Sequence, residues 1–158
     1  MTPAQSAYWQ EFCDATGHDR APDDIFAFGD SEALADELLA LVLIDRKKAT
    51  ASHVRWYGPD KEALPKPGDL ALVLDGRNAP ACIIQASRVD IHPVSETTEE
   101  FAWTEGEGDR SLAWWMAAHI DYFQREAERE GTTFDVGDDA VFHRFNRVWP
   151  LPASALAP

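Results

Sequence analysis

The order of apolar patterns in this chain predicts an α+β fold: a small β-barrel flanked by about three helices. Three observations carry that expectation. Three segments place apolar residues at helical spacing between capping signals. Several shorter runs are rich in β-formers and bounded by Gly, Pro and Asp. The two kinds do not alternate regularly, which argues against a parallel β-α-β sheet. Short strands in a chain this small gain by curling into a barrel, which protects their edges.

The first helix is expected over Pro3 to Thr16, with Tyr8, Trp9, Phe12 and Cys13 on its apolar side and Gly17 as its stop. A loop is expected around Pro22 to Asp24, and Phe26 and Phe28 then lead into Gly29-Asp30-Ser31. Asp30 or Ser31 can cap a second helix, whose stripe is Leu34, Leu38, Leu41 and Val42 and whose end is marked by Asp45. From Ala49 to Tyr57 the pattern is strand-like. Leu70 to Leu74 and Ala81 to Val89 flank an Asp75-Gly76 turn and read as a hairpin. Val89 to Val94 can prolong its second strand, with Pro93 placing that end at an edge. Glu99 to Asp109, with Gly106 and Gly108 between acids, reads as a shaped loop. Ser111 caps a third helix running to about Glu130, with Leu112, Trp115, Ile120 and Phe123 on its apolar face and Gly131 as its stop. Val136 to Trp149 supplies one or two last strands. Residues 1–150 form one expected domain, and the Pro- and Ala-rich residues 151–158 a loose tail.

Composition narrows the function classes. The 158 residues suit a single core, and 45% hydrophobic with 27% charged residues is an ordinary globular balance. A net charge of −14 argues against broad, non-specific nucleic-acid binding, which depends on Lys and Arg contacts to phosphates. Cys13 and Cys82 are far apart and form no metal-binding pair. The five histidines show no metal-ligand spacing, and Gly106-x-Gly108 lacks the rest of a phosphate-binding loop, so neither metal nor cofactor is expected. Met1 to Tyr8 does not resemble a signal peptide and no apolar run approaches ~18 residues, so the expected setting is cytoplasmic, away from membranes.

One segment stands out against the acidic background: Asp45-Arg46-Lys47-Lys48-Ala49-Thr50-Ala51-Ser52. A threonine hydroxyl needs a nearby base or a burial-tuned amine to act as a nucleophile, and Lys47 lies three residues before Thr50. In an extended segment Lys48 alternates away to solvent, Ser52 shares the face of Thr50, and His53 points the other way. His119, in the third helix, is expected as a packed or half-buried residue.

Together with Phe28-Gly29-Asp30-Ser31, the Pro67-Gly68-Asp69 turn and the run from Glu105 to Leu112, this segment resembles the ASCH family of PUA-like barrels. The family signature Gly-x-Lys-x-x-Thr-x-Arg reads here as Asp45-x-Lys47-x-x-Thr50-x-Ser52, with aspartate for the glycine and serine for the arginine. The resemblance implies a barrel with helices around a cleft, and links to RNA binding, ribonuclease activity or hydrolysis of the amide of N4-acetylcytidine. In the amidohydrolase reading it implies catalytic roles for Lys47, Thr50 and Glu105, with Glu107 as the alternative to Glu105. Thr50 would attack the acyl carbonyl, Lys47 would take its proton, and Glu105 would serve the leaving amine. Phe28, Ser52, Tyr57 and Glu107 are the expected substrate contacts, and Trp56 a further stacking candidate. The partner expected is a small nucleoside, with RNA left open and the oligomeric state undetermined. The alternatives are an RNA binder or metal-independent ribonuclease using Lys47, Lys48 and Arg55 on phosphate, and a sensor that binds a modified nucleoside without turnover.

Overall fold

The computed structural model describes residues 1–151, so residues 152–158 of the expected tail lie outside the described part. The elements are α1 (Pro3–Thr16), β1 (Asp24–Ala27), α2 (Glu32–Leu43), β2 (Ala49–His53), β3 (Leu70–Leu74), β4 (Pro80–Pro93), α3 (Glu99–Glu105), α4 (Leu112–Arg129) and β5 (Asp139–Trp149). Short 3-10 turns follow β2 at Val54–Trp56 and β4 at Val94–Glu96. The fold is α+β, as expected. Its five strands form a curled half-barrel in the order β1-β3-β4-β5-β2, parallel only between β1 and β3.

The sheet is covered on both sides. All five residues of β3 are buried, and its alternation divides them. Leu70, Leu72 and Leu74 pack with Trp9 and Phe12 of α1. Ala71 and Val73 pack with Leu38, Leu39 and Val42 of α2, together with Ile84 and Phe145. A third cluster joins Phe101 of α3 and Trp115 and Phe123 of α4 to Ala49, Ala140 and Phe142 at the β2–β5 end of the sheet. Phe142 and Phe145 differ in parity, so β5 offers one side to α4 and the other to α2. Both helices overhang the edge strand β2, and the candidate site lies there.

Four elements depart from the sequence reading. Residues 99–105 are a helix, not a loop, making four α-helices where about three were expected. Thr98 caps α3 by accepting from the Phe101 amide, Glu99 and Glu100 suit its first turn, and Gly106 ends it at φ +77°. Two turns are too short to show a helical period. The four-residue strand β1 begins inside the expected loop, held by parallel pairing to β3, a contact remote in sequence. Helix α2 stops at Leu43, before Asp45. Strand β2 stops at His53, whose ring accepts from the Arg55 amide and turns the chain into a 3-10 helix instead of extending it to Tyr57.

Asp45 stands where the resembled signature has glycine, and its φ is +60°. Aspartate is among the few non-glycine residues that accept this left-handed conformation. Its carboxylate is held at 3.2 Å by both oxygens to Arg147 of β5. Gly106 has no such latitude. A Cβ there would lie 2.2 Å from the Arg46 carbonyl oxygen, and its φ is already left-handed. Gly106→Ala is expected to destabilise the protein by roughly 2 kcal/mol or more in chemical denaturation, because both strain and a backbone clash oppose it.

Candidate active site

The segment before β2 enters the site under tight backbone control. The amides of Arg46 and Lys47 both bond to the Leu41 carbonyl at the end of α2, and the Lys48 amide bonds to the Thr104 carbonyl of α3. The Arg46 guanidinium reaches the carbonyls of Gly106 and Gly108 at 2.8 and 2.7 Å. The lysine segment and the loop after α3 are therefore one unit. Lys48 is exposed and His53 packs toward Phe123, both as alternation predicts.

Lys47 is 2% exposed, beside Glu105 at 1%. Its ammonium donates to the Ala49 carbonyl at 2.8 Å, Glu105 Oε1 at 3.3 Å and Glu107 Oε2 at 3.5 Å. Three acceptors match the three N–H groups of an ammonium. The Phe28 ring lies beneath it, 5.2 Å away at the centroid. Glu105 also accepts from Trp115 Nε1 on its other oxygen, and His119 Nε2 lies 2.9 Å from Oε1. Glu107 Oε2 is 3.7 Å from the same imidazole nitrogen.

The two carboxyls are driven in opposite directions. Burial pushes Glu105 upward, but the charges of His119 and Lys47 overcome it and hold the group well below the usual carboxylate range. Burial pushes Glu107 up to about 7; Lys47 opposes the rise and the Glu105 charge adds to it. Two neighbouring carboxyls with separated affinities divide into a fixed anion and a proton carrier.

These groups open onto a cavity of about 260 Å³. Ligand pockets commonly span ~300–1,000 Å³, so this one suits a small molecule. Its floor is Lys47, Thr50, Glu105, Glu107 and His119; Phe28, Leu34, Leu38, Leu41, Trp114 and Tyr122 form its apolar walls. The structure thus brings together Phe28, Lys47, Thr50, Glu105 and Glu107. It does not bring in Ser52 or Tyr57, which bond to each other at 2.7 Å outside the lining. Among the described residues no hydrogen bond joins Lys47 to Thr50. The three residues considered for phosphate contact do not converge: Lys47 is buried, Lys48 is exposed, and Arg55 reaches toward the Thr133 carbonyl.

His119, Trp115 and Arg46 are the site residues that the sequence reading missed. His119 lies four residues after Trp115 on the apolar stripe of α4, and a titratable residue inside such a stripe is the signal that was available. Ligand atoms of Glu105, Glu107 and His119 lie within 4.8 Å of one another, a spacing compatible with a cation. Here the Lys47 ammonium already supplies positive charge to both carboxylates.

Glu107 makes folding sensitive to pH. A carboxyl whose folded affinity is raised from 4.5 to about 7 stabilises the fold below pH 4.5, and that contribution is lost as pH rises through about 7. Glu107→Gln is therefore expected to be more stable than the wild type at pH 8, on the order of 2 kcal/mol, and to match it more closely near pH 4.5. Thermal or urea unfolding at the two pH values checks this.

Among the described residues no helix is long and apolar enough to cross a membrane. Residues 24–149 match the model of the ASCH domain. The chain is similar to a crystal structure of a protein from Enterococcus faecalis, with 32% identity, coverage of 94% of this chain and 90% of that one, and a TM-score of 0.86. It is similar to the ASCH domain from Lactobacillus crispatus at 29% identity, covering 94% and 96% of the two chains, with a TM-score of 0.84. An ASCH structure from Zymomonas mobilis shares the fold alone, at 11% identity over 85% and 76% of the chains and a TM-score of 0.50. Comparison with curated proteins finds no match. With a matching domain model over most of its length and a PUA-like sheet beneath the site, the chain belongs to the ASCH-domain family.

Proposed function

We propose that this protein hydrolyses the amide of an acylated cytidine such as N4-acetylcytidine. The observation that carries the reading is the convergence of a hydroxyl, Thr50, a protonatable carboxyl, Glu107, and a buried ammonium, Lys47, on one small apolar-walled cavity. Phe28 and Trp114 offer faces against which a nucleobase can pack.

In this reaction Thr50 Oγ1 attacks the acyl carbonyl while its proton passes to the Glu107 carboxylate. The oxyanion forms near the Lys47 ammonium, a fixed positive charge in a water-poor setting. Collapse breaks the C–N bond, and Glu107 returns the proton to the departing amine of the cytosine. Water then attacks the acyl-threonine with Glu107 again as base, releasing the carboxylic acid and restoring Thr50. Lys47 is thereby an electrostatic group and not the proton acceptor, because its donors are spent on Ala49, Glu105 and Glu107. Glu105 holds its place, and the proton moves on Glu107.

Incubation of the purified protein with N4-acetylcytidine is expected to release cytidine, and Thr50→Ala is expected to release none. Lys47→Met should lower kcat, because the site loses its fixed positive charge and Glu105 and Glu107 lose their shared counter-ion. Because the base form of Glu107 is needed for attack, kcat/KM should climb with pH to a plateau above about 7. Absence of cytidine release at high enzyme concentration would sink the substrate. Saturable binding without release would then favour the sensor, and binding of single-stranded RNA that weakens steeply with salt would favour the RNA reading.

A further inference from the structure

The structure assigns His119 as the positioning residue of the site: it locks Glu105 in place and so leaves Glu107 as the mobile proton carrier. The inference rests on the amide-hydrolysis reading only for its kinetic consequence; its structural part stands apart from the substrate.

His119 Nδ1 lies 2.9 Å from the Trp115 carbonyl oxygen one turn earlier on α4. A carbonyl only accepts, so Nδ1 carries a proton. Nε2 lies 2.9 Å from Glu105 Oε1. A carboxylate also accepts, and an unprotonated Nε2 would set two lone pairs face to face at that distance. With Glu105 held as a carboxylate by Lys47 and Trp115, both ring nitrogens donate, and His119 is assigned as an imidazolium. Burial works against that charge, but the carboxylates of Glu105 and Glu107 outweigh it and raise the affinity of the ring for its proton.

The ring has little freedom. It stacks on Trp115 with centroids 3.9 Å apart and planes 11° from parallel, and the Phe123 ring lies beyond at 6.2 Å. One turn of α4 thus presents two rigid N–H donors, Trp115 Nε1 and His119 Nε2, to the two oxygens of one carboxylate. Lys47 adds a third donor from the opposite side. Glu107 receives the longer contact to Lys47 at 3.5 Å, stands 3.7 Å from His119 and shares a hydrogen bond with Glu105. The charged groups facing His119 are Glu105 of α3, Glu107 of the loop after it and Lys47 before β2. This unequal supply of donors separates the two carboxyls, and His119 supplies one of the three donors on Glu105.

The test is nuclear magnetic resonance of the intact protein, with nitrogen-15 reporting the His119 ring and carbon-13 reporting the Glu107 carboxyl across pH, in the wild type and in His119→Gln. At pH 7 the wild-type ring is expected to give the shifts of a doubly protonated imidazole. In His119→Gln the Glu107 midpoint is expected to move upward by about one pH unit, because a neighbouring positive charge is gone. If turnover is present, kcat should fall tenfold or more with KM little changed, and its pH profile should shift upward by the same amount as the Glu107 midpoint. Should His119→Gln fail to fold, the wild-type ring signal still decides. A neutral ring at pH 7, or an unmoved Glu107 midpoint in a folded variant, would overturn the inference. Absence of N4-acetylcytidine turnover with the expected spectra would remove the substrate reading and leave the positioning role intact.

Discussion

An ammonium placed in a protein interior is the constraint on which the rest of this structure depends. Desolvating such a charge costs several kcal/mol or more unless partners surround it. Lys47 is almost wholly buried, so its neighbours are obligatory. Glu105 supplies the counter-charge, α3 carries Glu105, and Gly106 ends α3 so that the following loop can return to Arg46. Glu105 is itself a buried charge, and α4 satisfies it through Trp115 and His119. Helices α3 and α4 thus each supply a partner to a buried charge.

The same constraint makes the site costly and useful at once. Lys47 and His119 offset Glu105 and part of Glu107, but two carboxyls remain closer than their charges prefer. The fold keeps that tension because the packing of α1 and α2 on the sheet does not use the charged side chains. The clusters beneath α1 and α2 share no residue with the charged group. Stability can therefore be held elsewhere while one carboxyl stays poised to accept a proton near neutrality.

Much of this was legible in the sequence, for identifiable reasons. Helices α1, α2 and α4 carry long apolar stripes and capping residues, and the β3–β4 hairpin is bounded by turn chemistry. Lys47 and Thr50 stand in a spaced motif, Glu105 and its alternative Glu107 follow from the family resemblance, and all four line one cavity. What was hidden depended on contacts distant in sequence. Strand β1 exists because β3 lies beside it, and α3 because Phe101 and Ala102 find a core. His119 looked like a packed histidine, and it is packed; its role comes from a carboxylate that reaches it from another helix. Ser52 was expected by strand alternation and Tyr57 as a stacking ring; the chain turns at His53, and the two bond to each other outside the cavity lining.

The two departures from the family signature have different consequences. Asp45 keeps the left-handed turn that glycine would make and anchors it to Arg147, so the lysine segment is aimed by a side chain as well as by backbone freedom. Ser52 puts a neutral hydroxyl where the signature has a cation, and that hydroxyl is engaged with Tyr57. The remaining rim cation, Arg125, is already held by Asp30 and Asp121, and Glu37 and Asp121 add negative charge to the lining. A phosphate entering this cavity would meet carboxylates before it met an unpaired cation. A neutral nucleobase meets no such penalty, and its flat faces match the apolar walls. The local chemistry of the cavity and the acidic balance of the whole chain therefore select against the same ligands, and both favour a small uncharged ligand over a polyanion.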